Sequence, residues 1–526
     1  MRPAGEGAAN SIQKRVRWWS AFVSSRESLV PPVTYSGNRK VTRTRAHVVS
    51  EKRTGERRKK RKQGWRVAPK NARLAAVDQL LKIEEEGAFI GLIDSGNTPE
   101  ADKSGKDDEK MAALRDVRFS RALVAGVTKW QRNLDAILSK VSKTPLHKLD
   151  SEMHQILRIG AYELVHLNSP SHVVNELVDT AKVAVNPALG GFANGVLRNL
   201  ARRRDAGENL FPKADFGDLD SIARLHSHPT WMVERWVEQF GREDTIRLLE
   251  WNNRAPHYGL RMTPRLGSSQ AEFVADLESS GVEVQKSTYL PDQFLHVKSG
   301  MQSIKRSAAM RQGTCVAQDE AAGLVVELLN PRSGDTVLDG CAAPGGKTLF
   351  AAEKMKGQGE IVALDVKAGR LEAMAGAVRL QGFDHMVQLI PSDLRDYARN
   401  SDGKQFDCVL VDAPCSGSGV LARRADMRWR RGPGDVEELK LLQTELIEAG
   451  AKLVKPGGVL VYSTCSIEKD ENEDRIQSFL DKHLEFSVDT TTILPATVTT
   501  RAGFLRTLPF QHGIDGAFGA RLRREH

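Results

Sequence analysis

Five short apolar runs in the C-terminal part of the chain constrain its fold more than any other feature. They span residues 336–338, 361–364, 386–390, 408–411 and 459–462, and helical segments separate most of them. Apolar runs without polar alternation are typical of parallel strands that helices cover on both faces. The pattern therefore predicts a doubly wound, Rossmann-like α/β domain over residues 313–526.

Three of the loops that follow these runs carry reactive or glycine-rich sequences. Asp-Gly-Cys-Ala-Ala-Pro-Gly-Gly-Lys-Thr stands at residues 339–348, Asp-Ala-Pro-Cys-Ser-Gly at 412–417 and Tyr-Ser-Thr-Cys-Ser at 462–466. In an open α/β sheet, the loops at the carboxyl ends of parallel strands lie along one edge, where ligands bind. We therefore expect Cys415 and Cys465 to belong to one active site.

The chain of 526 residues is too long for one typical domain, and three regions precede the α/β domain. Residues 1–66 form a basic segment. Residues 67–205 are predicted to be an all-helical bundle, because apolar residues recur at three- and four-residue spacing. Residues 206–312 are predicted to be a linker and a small α+β subdomain, since a further helical stretch opens at residues 228–236 and short alternating runs begin at Tyr258.

Within the bundle, the periodicity predicts several separate helices. The predicted segments are 119–130, 134–141, 153–167, 173–185 and 192–203. Polar composition predicts loops at residues 97–110 and 205–225.

The N-terminal segment is strongly basic. The first fifty residues hold nine arginines or lysines against only Glu6 and Glu27 as acids. Such a balance is typical of an organelle transit peptide, and we expect a chloroplast before a mitochondrion. The alternative is a disordered basic tail. The run at residues 57–62 could be a nuclear signal or an RNA-gripping arm, which leaves nucleolus and cytoplasm as further locations.

Charge and cysteine usage narrow the partners. A net charge of +10 favours a polyanionic partner, because basic side chains displace counterions from phosphates. The five cysteines show neither Cys-x-x-Cys pairs nor zinc spacing, so we expect no disulfide framework and no metal. No apolar run approaches the ~20 residues of a membrane-spanning helix. We expect a monomer with no membrane partner.

The glycine-rich loop at residues 339–348 is the predicted cofactor site. It follows a strand and precedes a helical segment at 348–355, so its backbone amides can receive a polar ligand group. A phosphate-binding Walker loop requires four residues between its glycines, but five lie between Gly340 and Gly346. A dinucleotide fingerprint is also absent.

Acids at the strand ends indicate a different cofactor. Asp339, Asp365 and Asp393 end the first three apolar runs. An acid in the position of Asp365 can hold ribose hydroxyls, and Asp393 could accept a hydrogen bond from an adenine amino group. S-adenosylmethionine contains an amino acid, a ribose and an adenine but no phosphate, so it suits these acids. The alternative for any one aspartate is a helix cap or a loop acid.

Two cysteines in one site indicate a particular chemistry. Carbon 5 of a pyrimidine is a poor nucleophile, so its methylation needs thiolate attack at carbon 6 and later removal of the carbon 5 proton. Cys415 and Cys465, each between small or turn-forming residues, could share these tasks. The alternative is a buried, inert thiol, which we expect for Cys408 and Cys315. For Cys341 we expect backbone contact with the cofactor.

At these motifs the α/β domain resembles the Sun-type RNA 5-methylcytosine methyltransferase family, including a Glu-Asn-Glu at residues 471–473. The resemblance implies that Cys465 is the nucleophile, that Cys415 assists product release and that Asp412 hydrogen-bonds the cytosine beside the methyl donor. It assigns cofactor binding to Cys341, Ala342, Ala343, Pro344, Gly345, Gly346, Lys347, Asp365, Asp393 and Asp412.

The helical region is similar to the NusB-type RNA-binding domain at residues 126–130, 156–164, 175–178 and 192–199. Together, the two resemblances imply a bacterial-type enzyme that acts on small-subunit ribosomal RNA. A bundle that serves only for packing or protein contacts is the alternative.

The target should be an unpaired or flipped-out cytosine, because a buried thiolate cannot reach a paired base. A group of cations and one aromatic ring after Cys415 suits RNA binding, although a surface loop with a packed tryptophan is the alternative. These residues are Arg423, Arg424, Arg428, Trp429, Arg430 and Arg431. Two rival functions stay open: a catalytically inert RNA-binding ribosome assembly factor, and a cytosine-5 methyltransferase of transfer RNA.

Overall fold

The computed structural model describes residues 71–85, 107–215, 217–490 and 494–525. They belong to one compact unit, Pro69–His526. The basic segment at residues 1–66 lies outside the described residues, and so do the expectations of a transit peptide and of an RNA-gripping arm.

Within the described residues, the first five α-helices form the predicted bundle. They are α1 Ala72–Glu85, α2 Asp107–Ser139, α3 Ser151–Ala161, α4 Val173–Ala184 and α5 Gly190–Asp205. Apolar side chains at three- and four-residue spacing close its core, where Leu123, Leu134, Ile156, Leu177 and Leu197 are fully buried.

Two boundaries in the bundle were predicted wrongly. The predicted loop at 97–110 overlaps the start of α2. The segment 119–130 and the segment 134–141, except for its last two residues, belong to that one helix. The polar residue that interrupts the apolar pattern, Asn133, is buried, and its Nδ2 donates to the backbone oxygen of Leu225 at 2.9 Å. Because this hydrogen bond satisfies the buried amide, Asn133 can lie inside a continuous helix, although its polarity suggested that the helix ends there.

Three helices follow the bundle: α6 Leu219–Leu225, α7 Thr230–Phe240 and α8 Arg242–Asn253. The first corrects the predicted loop at 205–225. The Asp218 side chain caps α6 by accepting a hydrogen bond from the backbone nitrogen of Asp220 at 2.9 Å. A helix of two turns is too short for its periodicity to be detected.

The small α+β subdomain contains a four-stranded antiparallel sheet in the order β2-β3-β1-β4. Its elements are β1 Tyr258–Met262, α9 Gln270–Ser279, β2 Glu283–Lys286, β3 Phe294–Ser299, α10 Met301–Arg306, α11 Ala308–Gln312 and β4 Cys315–Ala317.

The α/β domain has the predicted alternation of strands and helices. Its elements are α12 Glu320–Leu329, β5 Thr336–Asp339, α13 Gly346–Lys354, β6 Glu360–Asp365, α14 Ala368–Gln381, β7 Val387–Pro391, α15 Leu394–Arg399, β8 Phe406–Asp412, α16 Met427–Arg430, α17 Pro433–Lys452, β9 Val454–Thr464, α18 Glu473–Leu480, β10 Phe486–Val488, β11 Leu505–Thr507, α19 Pro509–His512 and β12 Ala517–Arg524. All five predicted strands are present.

The main sheet runs in the order β7-β6-β5-β8-β9-β12-β10, with β11 paired to β12. Strands β5 to β9 are parallel, and β12 joins β9 antiparallel. Alternate residues of β8 enter cores on opposite faces: Cys408 and Leu410 on one, Val409 and Val411 on the other. Because both faces are covered, the strand needs no polar positions. The predicted fold class is confirmed.

Candidate active site

The two cysteine loops meet at the carboxyl ends of neighbouring strands. Asp412 pairs in register with Ser463 across β8 and β9, so the loops that follow lie side by side. The sulfurs of Cys415 and Cys465 are 3.2 Å apart. Cys415 is buried, whereas Cys465 is exposed. A reagent or substrate can therefore reach Cys465 directly.

The hydrogen bond between the two thiols shifts their pKa values in opposite directions. Together with burial, it raises the pKa of Cys415 well above that of an ordinary thiol. The same bond lowers the pKa of Cys465, because it stabilises the thiolate form of that residue. Cys465 therefore loses its proton more readily than Cys415 and is the more nucleophilic sulfur.

Asp412 connects the cysteine loops to the glycine-rich loop. Its Oδ2 lies 2.6 Å from Lys347 Nζ, and its Oδ1 accepts a hydrogen bond from Ser463 Oγ at 2.7 Å. Burial alone would lower the pKa of Lys347, but the nearby negative groups, led by the Asp412 carboxylate, together outweigh burial and raise that pKa overall. Lys347 therefore keeps its positive charge beside the thiols.

The glycine-rich loop turns sharply at Gly345, which has a φ of 99° and precedes the first residue of α13. A Cβ atom there would lie 2.7 Å from Met374 Cγ, so only glycine fits both the turn and the close contact. Asp339 accepts a hydrogen bond from Thr348 Oγ1 at 2.7 Å, and burial raises the pKa of Asp339 to about 6. Burial, followed by the nearby acids, raises the pKa of Cys341, so this thiol is a poor nucleophile.

The strand-end acids form a row along the edge of the sheet. Asp412, Asp339, Asp365 and Asp393 lie at the carboxyl ends of β8, β5, β6 and β7 or directly after them, and these four strands are consecutive neighbours. An elongated ligand with several hydrogen-bonding groups fits such a row. The residues present therefore suit S-adenosylmethionine.

Two of these acids also have local partners. Asp365 accepts a hydrogen bond from the Lys367 backbone nitrogen at 2.9 Å and lies 3.1 Å from a guanidinium nitrogen of Arg370. Asp393 caps α15 by accepting from the Arg395 backbone nitrogen at 2.8 Å, and the Arg395 guanidinium lowers the pKa of Asp393. The sequence left a helix cap as the alternative role for a strand-end acid, and Asp393 does cap α15.

Two of the residues after Cys415 that were expected to face RNA, Arg428 and Trp429, bind backbone oxygens of the protein instead. Arg428 is fully buried, and burial lowers its pKa to about 9. Its guanidinium donates to the backbone oxygens of Ser227 at 3.0 Å and Asn252 at 3.1 Å, and Trp429 Nε1 donates to Thr128 O at 2.6 Å. These two residues attach the α/β domain to the helical region. Sequence composition cannot distinguish an arginine that binds carbonyls from one that binds phosphates.

Sequence reasoning gave no role to Glu471, although it noted the Glu-Asn-Glu at 471–473. The Glu471 side chain is fully buried and accepts hydrogen bonds from Ser416 and Ser466, which directly follow the two cysteines. An acid close behind a reactive cysteine was the available signal. Its partners depend on how the loops pack, and no spacing rule reveals them.

Within the described residues, the helices include none with the length and hydropathy needed to span a bilayer. The same part of the chain contains no group of three His, Cys, Asp or Glu side chains suited to a metal ion.

The Rossmann-like sheet, the glycine-rich loop and the row of acids define a methyltransferase-type domain. Family models match the chain in three segments: 16S rRNA methyltransferase RsmB/F at residues 326–523, the NusB family at 70–202, and the ferredoxin-like domain of RsmF/B-like methyltransferases at 228–300. With the relatives described next, these matches show that the chain belongs to the RsmB/F family of 16S rRNA methyltransferases. The predicted resemblance is confirmed at this level.

Two relatives carry the name "Probable ribosomal RNA small subunit methyltransferase B". The protein from Synechocystis sp. is 33% identical over 414 residues, which cover 78% of this chain and 91% of the relative. The protein from Bacillus subtilis is 31% identical over 459 residues, covering 86% of this chain and 98% of the relative. The similarity thus includes the helical region as well as the α/β domain.

Solved structures support the fold. The crystal structure of PH0851 aligns with 87% of this chain and all of that chain, with a TM-score of 0.68 and 26% identity. A methyltransferase homolog protein from Pyrococcus horikoshii aligns with 59% of this chain and all of its own, with a TM-score of 0.50 and 28% identity.

Proposed function

We propose that the protein transfers a methyl group from S-adenosylmethionine to carbon 5 of a cytosine in small-subunit ribosomal RNA. The observation that carries this proposal is the cysteine pair: the sulfur of an exposed cysteine with a lowered pKa lies 3.2 Å from the sulfur of a buried cysteine with a raised pKa. Methylation of cytosine carbon 5 needs such a nucleophile and a second group that assists its departure.

The chain's own residues perform most of the reaction. The Cys465 thiolate forms a bond to carbon 6 of the cytosine, and the electron pair of the carbon 5–carbon 6 double bond moves to carbon 5. Bound S-adenosylmethionine supplies the electrophilic methyl group. Asp412, with lone pairs beyond those used by Lys347 and Ser463, can accept a hydrogen bond from the cytosine and favour the attack.

Product release reverses the covalent step. A base, either water or Cys415 in its deprotonated form, takes the carbon 5 proton, and the carbon–hydrogen electron pair restores the ring double bond. The bond between Cys465 and carbon 6 breaks with its electron pair returning to the sulfur. Cys415 can again donate its hydrogen bond to the departing thiolate, since the two sulfurs are 3.2 Å apart. Cys415 thus assists product release by stabilising the departing thiolate with a hydrogen bond.

The cofactor would lie along the row of acids. Residues 341–347 would contact its amino acid part, Asp365 its ribose hydroxyls and Asp393 its adenine amino group. The solved NSun6 from Pyrococcus horikoshii, reported with SFG, aligns with 57% of this chain and all of its own at 22% identity, with a TM-score of 0.51, and this likeness supports the fold alone.

Ribosomal RNA would be the macromolecular partner. The net charge of +10 and the NusB family match at residues 70–202 support RNA binding, and the names of the relatives from Synechocystis and Bacillus support the small subunit. The target cytosine would be unpaired or flipped out.

The proposal is tested by transfer of labelled methyl from S-adenosylmethionine to unmodified small-subunit ribosomal RNA, with nucleoside analysis of the product. Wild type should yield 5-methylcytidine, and Cys465→Ala should yield none. Transfer RNA is assayed in parallel. If only transfer RNA is methylated, the substrate is transfer RNA and not ribosomal RNA. A wild type that binds ribosomal RNA but methylates neither RNA would be an inert assembly factor.

We also propose chloroplast import through residues 1–66, on the strength of nine basic residues against two acids in the first fifty. These residues fused to a fluorescent protein should direct it to chloroplasts. Mitochondrial, nucleolar or cytoplasmic fluorescence would contradict this.

A further inference from the structure

Glu471 is a buried carboxylate that joins the two cysteine loops. It ends the short 3-10 turn Lys469–Glu471, just after the Cys465 loop. Its Oε1 accepts hydrogen bonds from the Ser416 backbone nitrogen at 2.8 Å and from Gln443 Nε2 at 2.9 Å. Its Oε2 accepts from the hydroxyls of Ser416 and Ser466, each at 2.5 Å. An ionised carboxylate accepts about four hydrogen bonds, so this group is saturated by protein donors.

The donors stand beside the reactive sulfurs in the sequence. Ser416 follows Cys415, and Ser466 follows Cys465. Gln443 also donates to the backbone oxygen of Pro414, the residue before Cys415, at 2.9 Å. Hydrogen bonds to a charged acceptor are stronger than those between neutral groups. One carboxylate therefore fixes both loops within one residue of each sulfur.

The charge of Glu471 also acts on the thiols. The pKa of Cys415 is raised first by its hydrogen bond with Cys465 and by burial, and Glu471 adds to the elevation. For Cys465 the hydrogen bond from Cys415 dominates and lowers the pKa, while Glu471 opposes it weakly. The other charged or titratable groups that interact with the sulfurs are Asp412, Lys347 and Tyr462, while Glu468 interacts with Glu471.

We propose that Glu471 is a positioning residue: it holds the two loops so that Cys415 keeps its proton and shares it with the Cys465 sulfur. The consequence for methyl transfer rests on the proposed function. The arrangement of the two thiols does not rest on the proposed function, because it can be measured without RNA.

The first experiment compares the alkylation rates of Cys465 and Cys415 by iodoacetamide in the full-length protein, using peptide mass spectrometry between about pH 6 and 9. In wild type, Cys465 should react much faster. Glu471→Gln keeps only one acceptor oxygen and carries no charge. If that oxygen accepts from the two serine hydroxyls, the new amide NH2 faces the Ser416 backbone N–H and Gln443 Nε2, which are themselves donors. The pKa of Cys415 should fall and that of Cys465 should rise as their hydrogen bond loosens, so the rate ratio should drop about tenfold.

Glu473→Gln is the matched control, since Glu473 belongs to the same Glu-Asn-Glu but lies 3.6 Å from Arg506. It should keep the wild-type ratio. A folded Glu471→Gln variant with the wild-type ratio overturns the proposal. If circular dichroism shows that this variant does not fold, the double variant Ser416→Ala, Ser466→Ala replaces it. That variant keeps the carboxylate and should show the same drop, and an unchanged ratio would again overturn the proposal.

The second experiment measures catalysis. RNA that contains 5-fluorocytosine retains the covalent adduct, because no proton can leave carbon 5. Glu471→Gln should form this adduct about tenfold more slowly, while its affinity for S-adenosylmethionine, measured by calorimetry, stays at the wild-type value. An unchanged adduct rate overturns the positioning role. If wild type itself forms no adduct and transfers no methyl, the proposed function fails, and the alkylation ratio still decides the thiol arrangement.

Discussion

The two cysteine loops are built alike, yet their thiols differ. Each loop follows a parallel strand, each contains Cys-Ser, and each serine hydroxyl donates to Glu471. Nevertheless Cys415 is buried with a raised pKa, whereas Cys465 is exposed with a lowered pKa. Two similar local sequences therefore acquire different acid–base properties from what surrounds them.

The loops also differ in how they are anchored. The chain beyond Cys415 reaches Arg428, which donates to the backbone oxygen of Ser227, just before α7, and to that of Asn252, near the end of α8. The chain beyond Cys465 reaches Glu468, which accepts a hydrogen bond from Trp236 Nε1 on α7 at 2.8 Å. Both loops are thus anchored to the segment that contains α7 and α8, one through an arginine and the other through a carboxylate. This segment, which lies between the bundle and the α+β subdomain, therefore helps to hold the active-site loops in place.

The largest expected effect separates the roles of the two thiols. Cys415→Ala should accumulate a covalent complex with substrate RNA, because release loses its hydrogen-bond donor, whereas Cys465→Ala should form none. Denaturing gel electrophoresis with labelled RNA measures the complex. A complex formed by Cys465→Ala would reverse the assignment of the two residues.

The next effect concerns the anchor of the Cys415 loop. Arg428→Met keeps most of the side-chain volume but leaves the backbone oxygens of Ser227 and Asn252 without their donor. The free energy of unfolding should fall by about 2–4 kcal/mol. Urea unfolding measures it, and Arg424→Met, at an exposed position, should stay near wild type. Equal stability of the two variants would contradict the anchoring role.

A smaller effect is expected where the Cys465 loop contacts the chain after Cys415. The Gly419 backbone nitrogen donates to Cys465 O at 3.0 Å, and a Cβ atom on Gly419 would lie 2.6 Å from Gly516 O. Gly419→Ala should cost about 1–3 kcal/mol of stability through overpacking. Thermal unfolding checks this against Gly434→Ala, where a Cβ atom meets no atom within 4 Å. Identical melting temperatures would show that the contact can relax.

The smallest effect is on the pH dependence of Cys465. Its pKa is lowered mainly by the hydrogen bond from Cys415, so its reactive thiolate persists to lower pH than in an ordinary cysteine. Cys415→Ala removes the donor, which should raise the pKa of Cys465 and slow its alkylation near neutral pH about tenfold. A pH–rate profile of alkylation measures the shift. A profile that does not move, or moves to lower pH, would contradict the direction.

The parallel strands could be predicted from the sequence because each of them contains a short apolar run. The apolar runs at residues 336–338 and 408–411 lie within β5 and β8, since a strand covered on both faces must be apolar throughout. The short antiparallel strands β10 and β11 show no such run and were not predicted. The break predicted between 130 and 134 was wrong because Asn133 finds its partner on α6.

The amino-acid sequence was enough to predict that the loops bearing Cys341, Cys415 and Cys465 follow parallel strands of one sheet and lie along one edge of it, because apolar runs are local properties of the chain. The tertiary structure was needed to show that the three strands are neighbours, which thiol is the more acidic, that Glu471 holds both loops and that Arg428 binds carbonyl oxygens. Burial and hydrogen bonds between distant segments set these properties, and neither is encoded in any one stretch of residues.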